Sequence, residues 1–214
     1  MIKGQCDPRF KKIKDIFSYS LESGFETGAA LAIEYKGEVI VNLWGGHKDS
    51  NKSLEWEENT LINVFSVTKG ITAICVSKLI DEGKLDYNQK VSYYWPEYGC
   101  NGKEDTIVSD FLCHRAGMFG FQNGMPKGSW QNWQNFVNHL EAQTPYNAPG
   151  SSQGYHALTY GWLVGELFRR VDGRTVGEYF QEEIAIPHDI DFHIGLQKED
   201  FSRCADMLML DFIQ

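Results

Sequence analysis

Apolar residues near the start of the chain recur at helical spacing and then alternate along two short runs. The helical spacing predicts a helix over 8–22. The alternation predicts strands over 29–35 and 38–44, and the Lys36-Gly37 pair between them is typical of a hairpin turn. A helix followed by a β-hairpin indicates an α/β arrangement for this part of the chain.

The pattern further along the chain is mainly helical. Helices are predicted over 67–82 and 106–114, from Ser129 onward, from Tyr155 or His156 to 171, and from Thr175 to Pro187. The last of these begins with a capping box, in which Thr175 and Glu178 are spaced to satisfy each other's backbone N–H groups.

Strand patterns are scarce after the hairpin. Short strands are predicted only over 191–196 and 207–212. Because an open sheet needs roughly three or more strands to be stable, we expect the antiparallel sheet to be incomplete. The predicted organisation is an α/β portion over 1–83, a mainly helical subdomain over 84–186, and the start of a return to the α/β portion over 187–214.

Composition and charge narrow the classes of function. With 214 residues, of which 42% are hydrophobic and 14% aromatic, the chain is predicted to be globular with a sizeable core. A formal net charge of -9 repels phosphates, so no nucleic-acid partner is expected. No apolar run approaches the roughly 20 residues that span a bilayer, and residues 1–20 lack the apolar centre of a signal peptide. We therefore expect no membrane span and a cytoplasmic location.

Cysteine and histidine positions do not indicate a metal site. The five cysteines are odd in number and lack C-x-x-C spacing, which is typical of reduced thiols. The segment from His188 to His193 is rich in His and Asp, but it follows Pro187 in a turn-to-strand passage, which favours a structural role. We expect no metal and no organic cofactor.

The segment Ser66-Val67-Thr68-Lys69 carries the strongest candidate chemistry. On a helix, positions i and i+3 share a face, so the Lys69 amine can reach the Ser66 oxygen. A serine in the first turn also meets the positive end of the helix dipole and backbone N–H groups, which stabilise an oxyanion beside it. To act as a base, Lys69 has to be deprotonated near neutral pH, and this requires burial or a second cation.

The same residues have a purely structural interpretation, in which Ser66 caps a helix and Lys69 is a solvated helical residue. The residues that follow favour chemistry, because they form one apolar stripe that ends at Gly83. This stripe consists of Ile71, Ile74, Cys75 and Leu79. A helix with such a face is predicted to be buried, which places Lys69 near protein.

Five short motifs follow one another in a characteristic order. They are Trp44-Gly45-Gly46, Phe65-Ser66-Val67-Thr68-Lys69-Gly70, Leu112-Cys113-His114-Arg115-Ala116-Gly117, Pro149-Gly150 and Tyr155-His156-Ala157-Leu158-Thr159-Tyr160-Gly161. In this order they resemble the β-lactamase-related serine hydrolases, and most closely the family VIII carboxylesterases, which are similar to class C β-lactamases and D-alanyl-D-alanine carboxypeptidases. The resemblance covers nearly the whole chain. It implies a β-lactamase/transpeptidase-like fold, α/β plus all-α, with an antiparallel sheet and helices.

The resemblance also implies residue roles. Ser66 would be the nucleophile, Lys69 a base, and Tyr155, from the family's Tyr-x-Asn position, a second base or proton carrier. The residues leave open which of the two is the base, and they allow Tyr155 to be simply an aromatic residue at a helix start. The implied reaction is hydrolysis of a small-molecule ester or amide through an acyl-enzyme.

Two departures from the family pattern bear on function. Ala157 stands where lactamases and peptidases carry Asn, which removes an amide side chain that would hold a peptide-like substrate, so small esters are the expected substrates. No counterpart of the family's third motif, of the Lys/His-Thr/Ser-Gly or Trp/His-x-Gly type, follows Tyr155. We therefore expect an N-terminal portion, a truncated isoform or an incomplete gene model. Alone, it is expected to be weakly active or inactive and to self-associate through its unfinished sheet.

The main prediction is a carboxylesterase-type serine hydrolase. Two alternatives stay open: a catalytically silent structural or binding fragment, and a D-Ala-D-Ala carboxypeptidase or β-lactamase. The absent third motif favours the silent fragment, whereas Ala157 disfavours the peptidase or lactamase.

Overall fold

The structure is a computed structural model that describes residues 1–125 and 128–208. Its contacts divide the chain into two compact units. One unit comprises Met1–Val64 together with the segment that begins at Leu196, and the other comprises Phe65–Gly195. Ser66 therefore belongs to the same unit as the helices that follow it. The threefold organisation with boundaries after 83 and 186 stays a prediction.

The first unit contains an antiparallel sheet of three strands in the order β1-β3-β2. Its helix and strands are β1 (Ile2–Cys6), α1 (Lys11–Glu22), β2 (Gly28–Tyr35) and β3 (Glu38–Gly46), with 3-10 turns at Pro8–Phe10 and Lys198–Arg203. The turn between β2 and β3 places Lys36 and Gly37 in the left-handed region, with φ of 53° and 82°, as a two-residue hairpin turn requires. The predicted hairpin is confirmed, with a register shift between Ile33 and Glu34.

The sequence pattern did not predict β1. Its five residues do not alternate, and only the two at its ends are partly buried. It pairs with β3 from Ile2 opposite Gly45 to Cys6 opposite Val41. With this strand the sheet reaches the roughly three strands that an open sheet needs. The core beneath it consists of Phe17, Ile40, Val41 and Leu43.

The second unit is helical, with α6 at its centre. Its helices are α2 (Val67–Asp81), α3 (Val91–Tyr94), α4 (Val108–Leu112), α5 (Trp133–Ala142), α6 (Thr159–Asp172) and α7 (Val176–Phe180), with shorter 3-10 or π turns at Pro96–Tyr98, Ser129–Gln131 and Gln181–Ala185. Helix α6 contacts α2, α3, α4, α5 and α7. In the ranges that the structure describes, no helix is both long and apolar enough to cross a bilayer.

The buried face of α2 differs from the predicted stripe. Cys75 and Leu79 are fully buried, as expected, but Ile74 is 54% exposed, and Thr72 and Val76 are buried instead. A helix turns by about 100° per residue, so Ile74 lies off the face that carries residues 72, 75, 76 and 79. The predicted stripe was therefore wrong at Ile74.

The run 191–196 is irregular and does not form the predicted strand. Phe192 and Ile194 pack against the core of the second unit, and the Gln181 side chain donates a hydrogen bond to the Phe192 carbonyl at 2.7 Å. Their alternation thus reflects side-chain packing without strand pairing. In the other predicted strand, Met207 and Leu208 are not in a strand, and 209–212 lies outside the described residues.

Gly161 and Gly165 of α6 form a matched pair for a stability test. A Cβ at Gly161 would meet nothing within 4 Å, whereas a Cβ at Gly165 would lie 2.9 Å from Cη2 of Trp133. We expect Gly161→Ala to raise the free energy of unfolding by about 0.5–1 kcal/mol, because alanine loses less backbone entropy in a helix. Gly165→Ala should raise the free energy of unfolding by less, or lower it, because the Trp133 side chain has to move to make room for the new methyl group. Urea denaturation measures both, and equal gains would contradict the close packing at Gly165.

Candidate active site

Ser66 lies at the N-terminal end of α2, immediately before its first helical residue. The preceding Phe65 has a φ of 46°, a strained left-handed conformation for a large side chain and one that often accompanies functional sites. The Ser66 side chain makes no capping hydrogen bond. Its Oγ is therefore not used as the structural interpretation expected, and it contacts groups outside the backbone of α2.

The structure brings the three predicted side chains together. The Tyr155 hydroxyl donates to Ser66 Oγ at 2.7 Å, and the Lys69 ammonium donates to the same atom at 3.3 Å. All three residues belong to the second unit. A potential nucleophile thus has two potential proton carriers within hydrogen-bonding distance. Their catalytic roles stay a prediction.

Lys69 is held by groups that carry no formal negative charge. Its ammonium donates to the Ala157 carbonyl oxygen at 2.8 Å and lies 5.1 Å from the ring centre of Tyr155 and 5.6 Å from that of Tyr160. No carboxylate in residues 1–125 and 128–208 forms an ion pair with it. The ammonium is therefore stabilised by a carbonyl dipole and two aromatic faces.

The loop that carries Tyr155 is anchored on the segment after α4. The Gly154 N–H donates to the His114 carbonyl at 2.9 Å, and the His156 N–H donates to His114 Nδ1 at 3.2 Å. His114 itself has a φ of 60°, which turns the chain so that its carbonyl and ring both face this loop. Tyr155 projects from between two anchored neighbours, and its ring centre lies 4.8 Å from that of His114.

His156 is fully buried, and its neighbours define its tautomer. Its Nε2 accepts the Met118 N–H at 3.0 Å, so the ring proton is on Nδ1, which donates to the Gly154 carbonyl at 2.6 Å. Burial lowers the pKa of His156 to about 4, although the bond to Gly154 opposes this shift. His156 is therefore neutral near pH 7, and both of its ring nitrogens are used in holding the loop.

The electrostatics of the cluster favour an acidic Tyr155. The hydrogen bond with Ser66 lowers the pKa of Tyr155, and Lys69 adds to this shift through its own hydrogen bond and positive charge. Burial raises the pKa of Tyr160 to about 12, so this second phenol stays protonated. The pKa of His114 is lowered by burial and by the Lys69 charge, which keeps its ring neutral.

A mostly apolar cavity of about 750 Å³ adjoins Lys69 in the same unit. Its walls come chiefly from α2 and α6 and include Thr68, Thr72, Leu158, Gly161, Trp162 and Gly165. This size is in the range of small-molecule sites, which are predominantly apolar with a few polar groups.

Over the described residues, no group of three or more His, Cys, Asp or Glu side chains is placed to hold a metal ion. Within the segment from His188 to His193, His193 Nε2 lies 3.0 Å from Asp191 Oδ1. A single such pair does not make a metal site, since metal sites in proteins use several ligands.

Sequence reasoning missed Tyr160 and the Ala157 carbonyl. Both contact Lys69, but the predicted helix from 155 or 156 would have put Tyr155 and Tyr160 on different faces. The helix begins only at Thr159, so the irregular residues before it bring both rings to the same ammonium. The role of a backbone carbonyl cannot be predicted from the sequence, because every residue type carries the same carbonyl group.

A serine at a helix N-terminus, with a lysine one turn later and a tyrosine from another segment on its oxygen, is an arrangement for covalent acyl transfer. The three-stranded antiparallel sheet and the helices form a β-lactamase/transpeptidase-like fold. The chain belongs to the beta-lactamase family, whose model, described as Beta-lactamase, matches residues 13–211. The family resemblance expected from the five motifs is thereby confirmed.

Individual relatives agree with this membership. The chain is 36% identical over 213 residues to Esterase/beta-lactamase LipL of Mycobacterium tuberculosis, a match that covers 96% of this chain and 48% of that protein. A crystal structure of a family VIII carboxylesterase is 39% identical with a TM-score of 0.89, covering 97% of this chain and 57% of that one. A penicillin-binding protein homolog from Caulobacter crescentus is 38% identical with a TM-score of 0.93, covering 99% and 57%. The chain spans about half the length of these relatives.

The buried neutral His156 predicts a pH dependence of stability. Its pKa in the folded chain, about 4, lies below the ordinary value of roughly 6.5, so the unfolded chain takes up a proton first as the pH falls. The stabilising contribution is complete above about pH 6.5 and is lost towards pH 4, an effect on the order of 3 kcal/mol. Urea denaturation between pH 7 and pH 5 measures how steeply the free energy of unfolding changes with pH, in a range where most carboxylates do not yet titrate.

The control for this prediction is His156→Gln, which can still accept the Met118 N–H but does not titrate. We expect the variant to be less stable at pH 7. Its free energy of unfolding should change less steeply with pH, and the remaining change should come from His114, whose pKa is also lowered. Identical slopes in the two proteins would contradict a buried neutral His156.

Proposed function

We propose that this chain carries the nucleophile of a carboxylesterase that hydrolyses small esters through an acyl-enzyme on Ser66. The observation that supports this is the position of Ser66 Oγ, which makes no capping bond and lies 2.7 Å from the Tyr155 hydroxyl and 3.3 Å from the Lys69 amine. Because the chain spans about half of its relatives, the activity of a whole protein is part of the proposal.

In the proposed reaction, Ser66 Oγ forms a bond to the ester carbonyl carbon while its proton passes to the base, either Tyr155 or Lys69. The tetrahedral intermediate collapses, the alcohol leaves with that proton, and the acyl group stays on Ser66. Water then attacks the acyl carbon and gives a proton to the same base, which returns it to Ser66 as the carboxylic acid departs. The lowered pKa of Tyr155 supports its taking the anionic form beside the ammonium.

The substrate class follows from what surrounds the cluster. Ala157 offers a methyl group and no side-chain donor or acceptor for an amide, which favours esters over peptides. The apolar cavity beside Lys69 is suited to the hydrocarbon part of a small ester. The relatives named as an esterase and as a carboxylesterase agree with this choice.

Two further features of the proposal concern the chain as a whole. The five cysteines are free thiols, which supports a reducing compartment such as the cytoplasm. Among the described residues, β1 and β2 are the edge strands of the sheet, and an edge strand can pair with a second copy of the chain or with another polypeptide.

The proposal predicts an acyl adduct on Ser66. Incubation of the purified chain with a p-nitrophenyl ester of acetate or butyrate should add one acyl group, measured by intact and peptide mass spectrometry. We expect slow turnover of the aryl ester and slower turnover of a chromogenic cephalosporin. Tyr155→Phe should slow acylation by about 10²–10⁴-fold, because a proton carrier is lost.

The matched pair is Ser66→Ala at the N-terminal end of α2 and Ser77→Ala within α2. Ser77 is exposed and donates to the Ala73 carbonyl, so its loss should leave the adduct unchanged. Absence of an adduct on folded chain would overturn the proposal in favour of a silent binding fragment. Faster acylation by the cephalosporin than by the esters would instead favour a β-lactamase.

A further inference from the structure

A lysine can serve as a proton carrier at a fixed position only when contacts restrain its flexible side chain. Its ammonium is on a flexible four-carbon stem, and each rotamer left open lowers the fraction of molecules with the amine at Ser66. In the structure the Lys69 ammonium is restrained by the Ala157 carbonyl and by two aromatic rings. One of these rings, that of Tyr155, belongs to the reacting cluster itself. The other, that of Tyr160, has no contact with Ser66 among those that the structure describes.

Tyr160 is built into the site more firmly than Tyr155. Its side chain is 4% exposed, against 54% for Tyr155, and it lies in the first turn of α6. Its hydroxyl donates to the backbone carbonyl of Lys69 at 3.2 Å, which ties the ring to α2 at the residue whose ammonium it faces. The ring centre of His114 lies 5.3 Å away. Tyr160 thus contacts both the backbone and the head group of Lys69.

We propose that Tyr160 is a positioning residue for Lys69, whose buried ring holds the ammonium against the Ala157 carbonyl and at Ser66 Oγ. This inference rests on the proposed function. The hydroxyl of Tyr160 anchors the ring to α2, and the face of the ring acts on the ammonium by cation–π attraction. Its hydroxyl is directed at the Lys69 carbonyl, and burial raises the pKa of Tyr160 to about 12, so we assign it a positioning role and no role as a base.

Three substitutions separate the ring from the hydroxyl and from packing. Tyr160→Phe keeps the aromatic face and loses only the bond to the Lys69 carbonyl. Tyr160→Leu and Tyr160→Met fill the core with apolar atoms and lose the face, and the unbranched methionine is a second choice if leucine does not fold. Circular dichroism and thermal melts establish that each variant is folded before it is compared.

The first readout is acylation of Ser66 by the aryl ester. We expect Tyr160→Phe to lower the acylation rate by about threefold or less, and Tyr160→Leu and Tyr160→Met to lower it by about 30- to 100-fold with little change in KM, because a misplaced catalytic group reduces rate more than binding. Loss through general destabilisation would instead scale with the melting temperature of each variant.

The second readout needs no activity. The ionisation of Tyr155, isolated as the difference in absorbance at the tyrosinate band between each protein and its Tyr155→Phe counterpart, reports on the groups that face it. These are Ser66 and Lys69 from α2 and His114 from the loop after α4. The pKa of Tyr155 is lowered by Ser66 and then by Lys69, so releasing the ammonium should move its titration to higher pH in Tyr160→Leu and Tyr160→Met and leave it in place in Tyr160→Phe.

The outcomes distinguish the two proposals. If the unaltered chain is not acylated, the proposed function fails, while the Tyr155 titration still decides the role of Tyr160. The positioning role would be overturned if Tyr160→Leu and Tyr160→Met were acylated at the rate of the unaltered chain and if Tyr155 ionised at the same pH in all of them. If Tyr160→Phe and Tyr160→Leu lowered the acylation rate equally, the effect could not be assigned to the face of the ring.

Discussion

The hydrogen bonds of buried His156 are the constraint on which the candidate site depends. One ring nitrogen accepts from the Met118 backbone, the other donates to the Gly154 carbonyl, and the backbone N–H of His156 donates to the His114 ring. An irregular loop has no repeating backbone bonds to fix it, so these few bonds replace them. Tyr155 is exposed, and it faces Ser66 because both of its neighbours are held.

The start of α6 can hold Lys69 only if the helix itself is fixed. Glu166, fully buried on α6, accepts from the Trp133 indole at 2.8 Å and from the guanidinium groups of Arg169 and Arg170 at 2.9 and 2.8 Å. Burial raises the pKa of Glu166, but these hydrogen bonds outweigh it and lower the pKa overall. Removing one partner would leave a buried charge short of compensation, a cost of roughly 3–5 kcal/mol in other proteins. The network therefore joins α5 to α6 and fixes the helix whose first turn carries Tyr160.

The sequence predicted what depends on local pattern. The hairpin, the α2 helix and the capping box at Thr175 follow from alternation, helical period and side-chain spacing, and each is present. The pattern did not reveal β1, whose pairing is decided by its partner strand, nor the irregular path of 191–196, whose apolar residues pack without strand bonds. Ser66 and Lys69 could be paired from their spacing alone, whereas Tyr155 needed the order of the motifs.

The contacts of Lys69 explain how this site accommodates Ala157. The ammonium is bound by the backbone carbonyl of residue 157, and that carbonyl is present whatever side chain the residue carries. An alanine in place of the amide side chain of the family motif therefore leaves the contact that holds the lysine intact. The aromatic faces of Tyr155 and Tyr160 complete the surroundings of the ammonium from other positions. In the proposed reaction, the substrate preference and the position of Lys69 can therefore change independently, because the first depends on the side chain of residue 157 and the second on its backbone carbonyl.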